Sequence, residues 1–188
     1  MHSFSNQDHQ FLESTVSFFI HSFSLYNFFF LTLELRMGFS HLLNTEASLA
    51  NFSAIYDIPR DVEVAYCPED DIALQWRPHV AFFPLMAILE GGVRFPMDYL
   101  ILRTLRFYSL CPNQLLPNFY RVVSCISRLN QLYRLQLDYH DINFMYSLCG
   151  NIRSDYYLKV RDVRVQLISC LPHSNRNSVR EYVRVSGN

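Results

Sequence analysis

The stretch GGVRFPMDYLILRTLRFYSLCPNQLLPN, residues 91–118, decides the fold because it holds two helix starts and one helix stop. The glycine pair at its start can adopt a positive φ without a steric cost, which suits the end of a preceding helix. Pro96 fits the first position of a helix, and Asp98 places a carboxylate at the positive end of the helix dipole. Pro112 cannot continue a helix. We therefore predict a helix that starts at Pro96 and stops at Pro112.

Apolar residues at helical spacing predict which side of each helix is buried. In the first helix these residues are Leu100, Ile101, Leu105 and Tyr108, and the opposite side carries Arg103 and Arg106. The second helix opens at Pro117, and its apolar face consists of Phe119, Val122, Val123, Ile126, Leu129 and Tyr133. Its opposite face carries Arg121, Ser124, Arg128 and Gln131. We interpret the pair as two packed core helices whose arginines lie in water.

Length and composition are those of one foldable domain. The chain has 188 residues, of which 18% are charged and 15% aromatic, and such a composition supports a packed core. The net charge of −1 gives no overall field that would attract nucleic acid. The five cysteines and seven histidines are scattered without metal-ligand spacing. We expect reduced thiols, no metal, no cofactor, and an intracellular protein of the nucleus or cytoplasm.

The N-terminal residues differ from the rest. The stretch VSFFIHSFSLYNFFFLTLEL, residues 16–35, is nearly long enough to cross a bilayer, but His21, Asn27 and several hydroxyl residues interrupt it. We favour a buried or partner-binding amphipathic helix, or a segment foreign to the fold, and a membrane anchor is the alternative. The expected organisation is therefore an apolar segment, residues 1–39, followed by a single α+β domain, residues 40–188.

Periodicity elsewhere predicts further helices and three short strands. The helices are residues 48–58, residues 85–90 after extended residues 79–83, and one that begins at Asp138 or Asp141, buries Ile142, Met145, Leu148 and Cys149, and ends at Gly150. The strands are near residues 62–66, 155–161 and 180–186. The expected fold is α+β and mainly helical, a small helix bundle with a short antiparallel sheet.

The last two strands carry the candidate nucleic-acid contacts. Residues 150–188 hold seven basic and three acidic side chains, a net charge of +4. If the two strands are antiparallel neighbours, one face presents Tyr157, Lys159, Arg161, Arg180, Tyr182 and Arg184. Cations would meet phosphates there, and rings would stack on bases. The other interpretation is a solvated sheet face, or one packed on the acidic residues 57–71.

No spacing in the sequence predicts a catalytic residue. Glu69, Asp70 and Asp71 are adjacent, whereas a metal cage needs ligands from separated positions, so we interpret them as solvated surface. A strand-transfer enzyme needs separated carboxylates that converge on two divalent ions, which Asp138 and Asp141 on one helix do not supply. The sequence also lacks the GxSxG motif of a hydrolase nucleophile elbow.

Short motifs follow one another in a distinctive order. They are YDIP at 56–59, LEGGVRFP at 89–96, PNQL at 112–115, PN at 117–118, LP at 171–172, SN at 174–175 and REYVRV at 180–185. In this order and spacing the sequence resembles the gypsy-type transposon domain of plant retrotransposon-derived proteins, over residues 45–187. The positions that the resemblance marks as structural are Pro59, Gly91, Arg94, Phe95, Pro96, Pro112, Gln114, Leu115, Pro117, Asn118, Pro172, Ser174 and Asn175.

The resemblance implies a lineage and assigns no catalytic residue. We expect a non-catalytic interaction or assembly module that binds another protein or a second copy of itself, or else a degenerate relic. Two alternatives stay open: a nucleic-acid-binding module that uses the C-terminal strands, and a protein anchored in a membrane by residues 16–35. An assembly module needs an exposed apolar patch, a nucleic-acid binder needs a continuous basic face, and an enzyme needs a hollow with converging acids.

Overall fold

A computed structural model describes residues 39–152, 155–168 and 181–187. Within these residues the fold is α+β, with six helices and two small antiparallel sheets. The helices are α1 Glu46–Ile55, α2 Ile72–Gln75, α3 Leu85–Leu89, α4 Tyr99–Tyr108, α5 Pro117–Tyr133 and α6 Tyr139–Met145. The strands are β1 Val62–Pro68, β2 Val80–Pro84, β3 Tyr146–Gly150, β4 Tyr156–Val160 and β5 Glu181–Gly187.

The larger sheet places the last strand in its centre. Its order is β1-β5-β2, antiparallel on both sides, with Tyr66 opposite Val183 and Val183 opposite Phe83. A central strand has neighbours on both edges, and Val183 and Val185 of β5 are accordingly buried. The predicted strand at 62–66 is confirmed within β1, and of the predicted extended residues 79–83 all but His79, which has a φ of 68°, lie in β2.

The two C-terminal strands exist as predicted, but the expectation that they are neighbours is wrong. β4 pairs with β3 in a separate two-stranded sheet, in which Leu148 lies opposite Leu158. β3 directly precedes β4 in the chain, and Asn151 and Asp155 between the two strands exchange hydrogen bonds. Because this local hairpin satisfies one edge of β4, the strand does not need β5. The candidate basic residues are therefore divided between two sheets.

The predicted helix around Ile142 is shorter than expected. Asp138, one of the two predicted starts, is its N-cap and accepts hydrogen bonds from the backbone N–H groups of His140 and Asp141. The helix ends at Met145, however, and Leu148, Cys149 and Gly150 belong to β3. The short apolar run at residues 145–149 is compatible with either a helix or a strand. Residues 146–150 form a strand because they pair with β4.

The first helix of the 91–118 stretch is shorter than predicted at both ends. Asp98 is its N-cap, and the Asp98 carboxylate accepts a hydrogen bond from the N–H of Leu100. That bond satisfies one of the free N–H groups of a helix start, which Pro96 cannot do. The helix ends at Tyr108, and Ser109 takes the left-handed conformation with a φ of 54°. Pro112 instead opens a short 3₁₀ turn, Pro112–Gln114.

The long helix α5 forms the middle of the core. Pro117 occupies its first turn as predicted, and its buried side chains include the predicted Phe119, Val122, Val123, Ile126 and Leu129. The loop after α3 crosses this helix closely at Gly91. A Cβ atom there would lie 2.8 Å from Cβ of Tyr120 and 2.5 Å from the carbonyl oxygen of Ala87. Only glycine allows this approach without displacement.

The solvated position predicted for Arg121 is wrong. Arg121 is 6% exposed and forms an ion pair with the Glu90 carboxylate at the end of α3. Burial lowers the pKa of Arg121 to about 10, so the guanidinium stays charged at neutral pH. Arg128 and Gln131, further along the same face, are exposed as predicted. The contact with Glu90 thus places the start of α5 beside the end of α3.

The predicted domain start falls close to the first described residue. Phe39 is buried in the core, and its N–H donates a 2.7 Å hydrogen bond to the Glu181 carboxylate on β5. The core therefore begins at least one residue before the predicted boundary at residue 40. The remainder of the predicted apolar segment, residues 1–38, lies outside the described residues.

Candidate functional site

A group of aromatic and basic side chains lies on the outer face of α4 and on α6. We call it the aromatic–arginine surface. Its members are Tyr99, Leu102, Arg103, Arg106, Phe107, Tyr139, His140 and Phe144.

Helix capping sets which side chains of α4 face outward. The cap at Asp98 fixes the start of the helix, so the buried face falls on Leu100, Ile101, Thr104 and Leu105. The Thr104 hydroxyl is satisfied inside by a 2.7 Å hydrogen bond to the carbonyl oxygen of Leu100. With 3.6 residues per turn, the remaining positions 99, 102, 103, 106 and 107 form one outward stripe.

Helix α6 completes the surface from a distant part of the sequence. The Phe107 ring centroid lies 5.0 Å from that of Tyr139 and 5.7 Å from that of His140, and the last two are 4.2 Å apart. Aromatic rings at these separations attract one another. Phe144 follows His140 by four residues and therefore extends the same side of α6 by one turn.

Arg103 joins the aromatic rings of the two helices. Its guanidinium carbon lies 5.5 Å from the Tyr99 ring centroid and 5.0 Å from the Tyr139 ring centroid. The same group donates hydrogen bonds of 2.8 Å to the Tyr99 hydroxyl and 3.4 Å to the Tyr139 hydroxyl. The Tyr139 and then the Tyr99 hydrogen bonds raise the pKa of Arg103. The planar cation thus holds the rings in one arrangement, which a lysine ammonium would not do.

The surface leaves much apolar area in water. Tyr99 is 69% exposed and Phe144 75% exposed, and Leu102 and Phe107 are exposed as well. Soluble proteins rarely leave contiguous apolar patches uncovered unless they bind something there. The carboxylates of Asp138 and Asp141 accept hydrogen bonds from backbone N–H groups at the start of α6. Arg103 and Arg106 are the exposed arginines of this surface.

A shallow groove of about 290 Å³ lies between the 92–98 loop and α5. Its polar side chains are occupied within the fold. Ser124 donates a 3.0 Å hydrogen bond to the Gly91 carbonyl oxygen, and Ser127 donates one to the Asp98 carboxylate. Arg94, also in its wall, donates to the carbonyl oxygens of Ile88 and Val93. These bonds tie the loop to α5 and leave the groove without a set of converging reactive groups.

Several positions of the motifs that carry the family resemblance make contacts within the fold. Arg94 lies over the Tyr56 ring at 5.1 Å, and burial lowers the pKa of its guanidinium. Phe95 packs edge-on against Phe83 at 5.5 Å and precedes Pro96 across a cis peptide bond. The amide oxygen of Asn118 accepts a 3.0 Å hydrogen bond from the N–H of Leu158, which connects α5 to β4.

The remaining motif positions close turns or lie outside the described residues. The Pro59 carbonyl oxygen accepts a hydrogen bond from the N–H of Val62, and Gln114 accepts one from the N–H of Cys111. Leu115 is buried. The predicted positions Pro172, Ser174 and Asn175 lie outside the described residues.

The candidate nucleic-acid residues do not share one face. Lys159 and Arg161 lie exposed on and just after β4. Tyr182 is buried in β5, and Arg184, half buried in the same strand, donates a 3.3 Å hydrogen bond to Gln75. Tyr157 is half buried, and Arg180 lies outside the described residues. The single basic face predicted from alternation is wrong, because it assumed that β4 and β5 were neighbours.

Two further features concern metals and membranes. Glu69, Asp70 and Asp71 form a single 3₁₀ turn, and among the described residues no group of three or more histidine, cysteine or carboxylate side chains is placed to hold a metal ion. None of the helices in the described ranges has the length and apolar character to cross a membrane. The predicted membrane segment at 16–35 lies outside those ranges.

The sequence contained part of the signal for the aromatic–arginine surface. Arg103 and Arg106 were correctly expected on the outer side of α4. Tyr99 and Phe107 lie on that same side, which helical spacing alone would have indicated. The proximity of Tyr139 and His140 depends on how α6 packs beside α4, and spacing does not predict it.

Fold and surface together define this chain as a small α+β domain with an exposed aromatic and basic patch. No protein-family model, no curated protein and no solved structure matches it.

Proposed function

We propose that this chain is a non-catalytic interaction or assembly module that docks a protein partner on the aromatic–arginine surface. The observation that carries the proposal is the exposure of Tyr99, Phe107 and Phe144 beside Arg103 and Arg106. Tyrosine and arginine are enriched at the residues that contribute most to protein interfaces. Large aromatic side chains also supply much contact area for few rotatable bonds.

The internal contacts of the surface support binding. Arg103 already holds the Tyr99 and Tyr139 rings through hydrogen bonds and ring contacts. Ordering a flexible side chain on association costs roughly 0.5–1.5 kcal/mol. Side chains that are ordered before the partner arrives avoid part of this cost, so this preorganisation favours association.

We also propose a lineage: a domain of the gypsy-type transposon family of plants, mainly helical and intracellular. The ordered motifs support it, and several of their members have roles that a motif kept for folding would have. Gly91 permits the loop to cross α5, Arg94 ties that loop to α3, and Asn118 connects α5 to β4.

Hydroxyl-radical footprinting tests the docking proposal. The full-length chain is labelled once as dilute purified protein and once in a concentrated extract of the cells that express it. Tyr99, Phe107 and Phe144 are expected to be labelled in the dilute sample and protected in the extract. Leu132, an exposed residue of α5 outside the surface, serves as the control and is expected to label equally in both. Equal labelling of the three aromatic residues in both samples would contradict the proposal.

A further inference from the structure

A second exposed surface of this chain carries acidic side chains, whereas the aromatic–arginine surface carries Arg103 and Arg106. Residues 69–76, EDDIALQW, begin with three acids and end with apolar side chains. Leu74 is 72% exposed and Trp76 61% exposed, and Asp70 is exposed beside them. We call these residues the acidic–apolar segment.

The fold holds this segment in a defined conformation. Glu69, Asp70 and Asp71 form a 3₁₀ turn that leads into α2, and Ile72 packs on the buried cluster of Cys67, Phe82 and Tyr182. Two arginines lie beside this segment: Arg77 donates hydrogen bonds to the carbonyl oxygens of Leu74 and Trp76, and Arg184 donates one to the Gln75 side chain. Both guanidinium groups are bonded at the apolar end of the segment, whereas Asp70 at the acidic end is exposed.

We propose that the partner docked on the aromatic–arginine surface is a second copy of this chain, which contributes its acidic–apolar segment. This inference rests on the proposed function. Carboxylates of Asp70 and Asp71 would pair with Arg103 and Arg106, since arginine binds carboxylates through paired hydrogen bonds. Trp76 and Leu74 would cover the exposed rings and Leu102.

The two surfaces consist of different residues, so the contact is heterologous. One copy offers its acidic–apolar segment, and the next copy offers its aromatic–arginine surface. A heterologous contact leaves one unused surface at each end of a pair, and association continues until a ring closes or a filament grows.

Charge favours this partner over nucleic acid. The aromatic–arginine surface has two exposed arginines, while the predicted basic residues of β4 and β5 are divided between two sheets. Affinity for nucleic acid grows with the number of phosphates that a protein neutralises, and two arginines supply little of it. The chain as a whole carries a net charge of −1.

Sedimentation velocity of the full-length chain and two charge-reversed variants tests the inference. One variant carries Arg103→Glu and Arg106→Glu, and the other carries Asp70→Arg and Asp71→Arg. Like charges across an interface cost several kcal/mol, so each variant alone is expected to associate at least about 100-fold more weakly than the unmodified chain. Arg128→Glu, at an exposed arginine outside both surfaces, is the control and is expected to associate normally.

An equimolar mixture of the two variants gives the decisive result. The first variant keeps its acidic–apolar segment and the second keeps its aromatic–arginine surface, and the two reversed surfaces are again opposite in charge. The mixture is therefore expected to recover the association that each variant alone has lost. A mixture that stays monomeric, or single variants that associate as the unmodified chain does, would overturn the inference. Circular dichroism of each variant checks that it folds, and single substitutions at Arg106 and Asp70 replace any double variant that does not.

The outcomes also separate this inference from the proposed function. If the unmodified chain stays monomeric at high concentration while its aromatic residues are protected in extract, a second copy is excluded as the partner. The proposed function then stands, with a different protein as the partner. A single-stranded thymidine oligonucleotide that protects Tyr99 and Phe107 at physiological salt would contradict both, because the surface would then bind nucleic acid.

Discussion

Arg103 on α4 lies over the ring of Tyr139 on α6, with 5.0 Å between the guanidinium carbon and the ring centroid. The two residues are 36 positions apart in the sequence. Both are on the outside of the domain, so their contact contributes to the shape of the surface more than to the core. The aromatic–arginine surface therefore depends on a contact between two helices whose packing the core determines.

Replacing Arg103 by Ala is expected to release the Tyr99 and Tyr139 rings while the domain stays folded. Arg103→Lys is expected to behave as the alanine variant does, because an ammonium group lacks the planar fork that reaches both hydroxyls. Aromatic NMR spectra measure the effect: ring signals of both tyrosines would move toward the positions of a free side chain. Unchanged ring signals in Arg103→Ala would show that the rings are held by other contacts.

The ion pair between Glu90 and Arg121 gives a stability prediction. Arg121→Met alone leaves the Glu90 carboxylate without its partner and is expected to lower the free energy of unfolding by about 3–5 kcal/mol. The double variant with Glu90→Gln removes both charges and is expected to recover most of that loss. Denaturant unfolding of the single and double variants measures both effects. If the single and double variants were equally stable, the lost packing of the Arg121 side chain, and not the unpaired Glu90 charge, would account for the lower free energy of unfolding.

Alkaline pH is expected to destabilise the domain through Tyr120. Complete burial raises the pKa of the Tyr120 phenol well above its usual value, and its hydroxyl donates a 2.7 Å hydrogen bond to the Pro112 carbonyl oxygen. Because the pKa is higher in the folded state, the unfolded state loses this proton at a lower pH than the folded state does. Stability is therefore complete below about pH 10 and falls as pH rises above it.

Arg121 acts in the opposite direction at the same pH. Burial lowers the pKa of Arg121 to about 10, below the pKa of a free arginine. Between these two pKa values the folded state releases the proton and the unfolded state keeps it, so this group stabilises the folded state as the pH rises. Buried Tyr146 and half-buried Tyr108 have raised pKa values through burial, as Tyr120 does, and the net effect is expected to be loss of stability. Denaturant unfolding at pH 8 to 11 measures it, and Tyr120→Phe should fall less steeply than the unmodified chain. A parallel decline of the two would contradict the role of Tyr120.

Gly91→Ala is expected to destabilise the domain by about 1–3 kcal/mol, the usual cost of overpacking a core. The added methyl group would meet Ala87 and Tyr120 at distances that real Cβ atoms do not adopt. Gly150→Ala is the matched control, because a Cβ there meets a Tyr156 ring atom at 3.3 Å and that side chain lies at the edge of a hairpin. The midpoints of thermal unfolding compare the two, and equal midpoints would show that the loop is free to shift.

Local signals predicted the helices and strands better than they predicted their partners. Pro117 and the stripe through Ile126 predicted α5, and the acids at 138 and 141 predicted the start of α6 to within one turn, because these features act within a few residues. The pairing of β5 with β1 joins residues more than a hundred positions apart, and alternation does not indicate which strand will be a neighbour. Arg121 was predicted wrongly for the same reason, since its burial depends on Glu90, which follows a different helix.

The most direct test of docking uses a photo-crosslinking phenylalanine placed at one position at a time in the full-length chain. Phe144 lies in the aromatic–arginine surface, and Ile55, which is 60% exposed on α1, is the comparison site. Illumination of the expressing cells is expected to produce a crosslinked protein species from position 144 and none from position 55. Equal crosslinking from both positions, or none from position 144, would contradict the central claim that the aromatic–arginine surface is where this domain binds its partner.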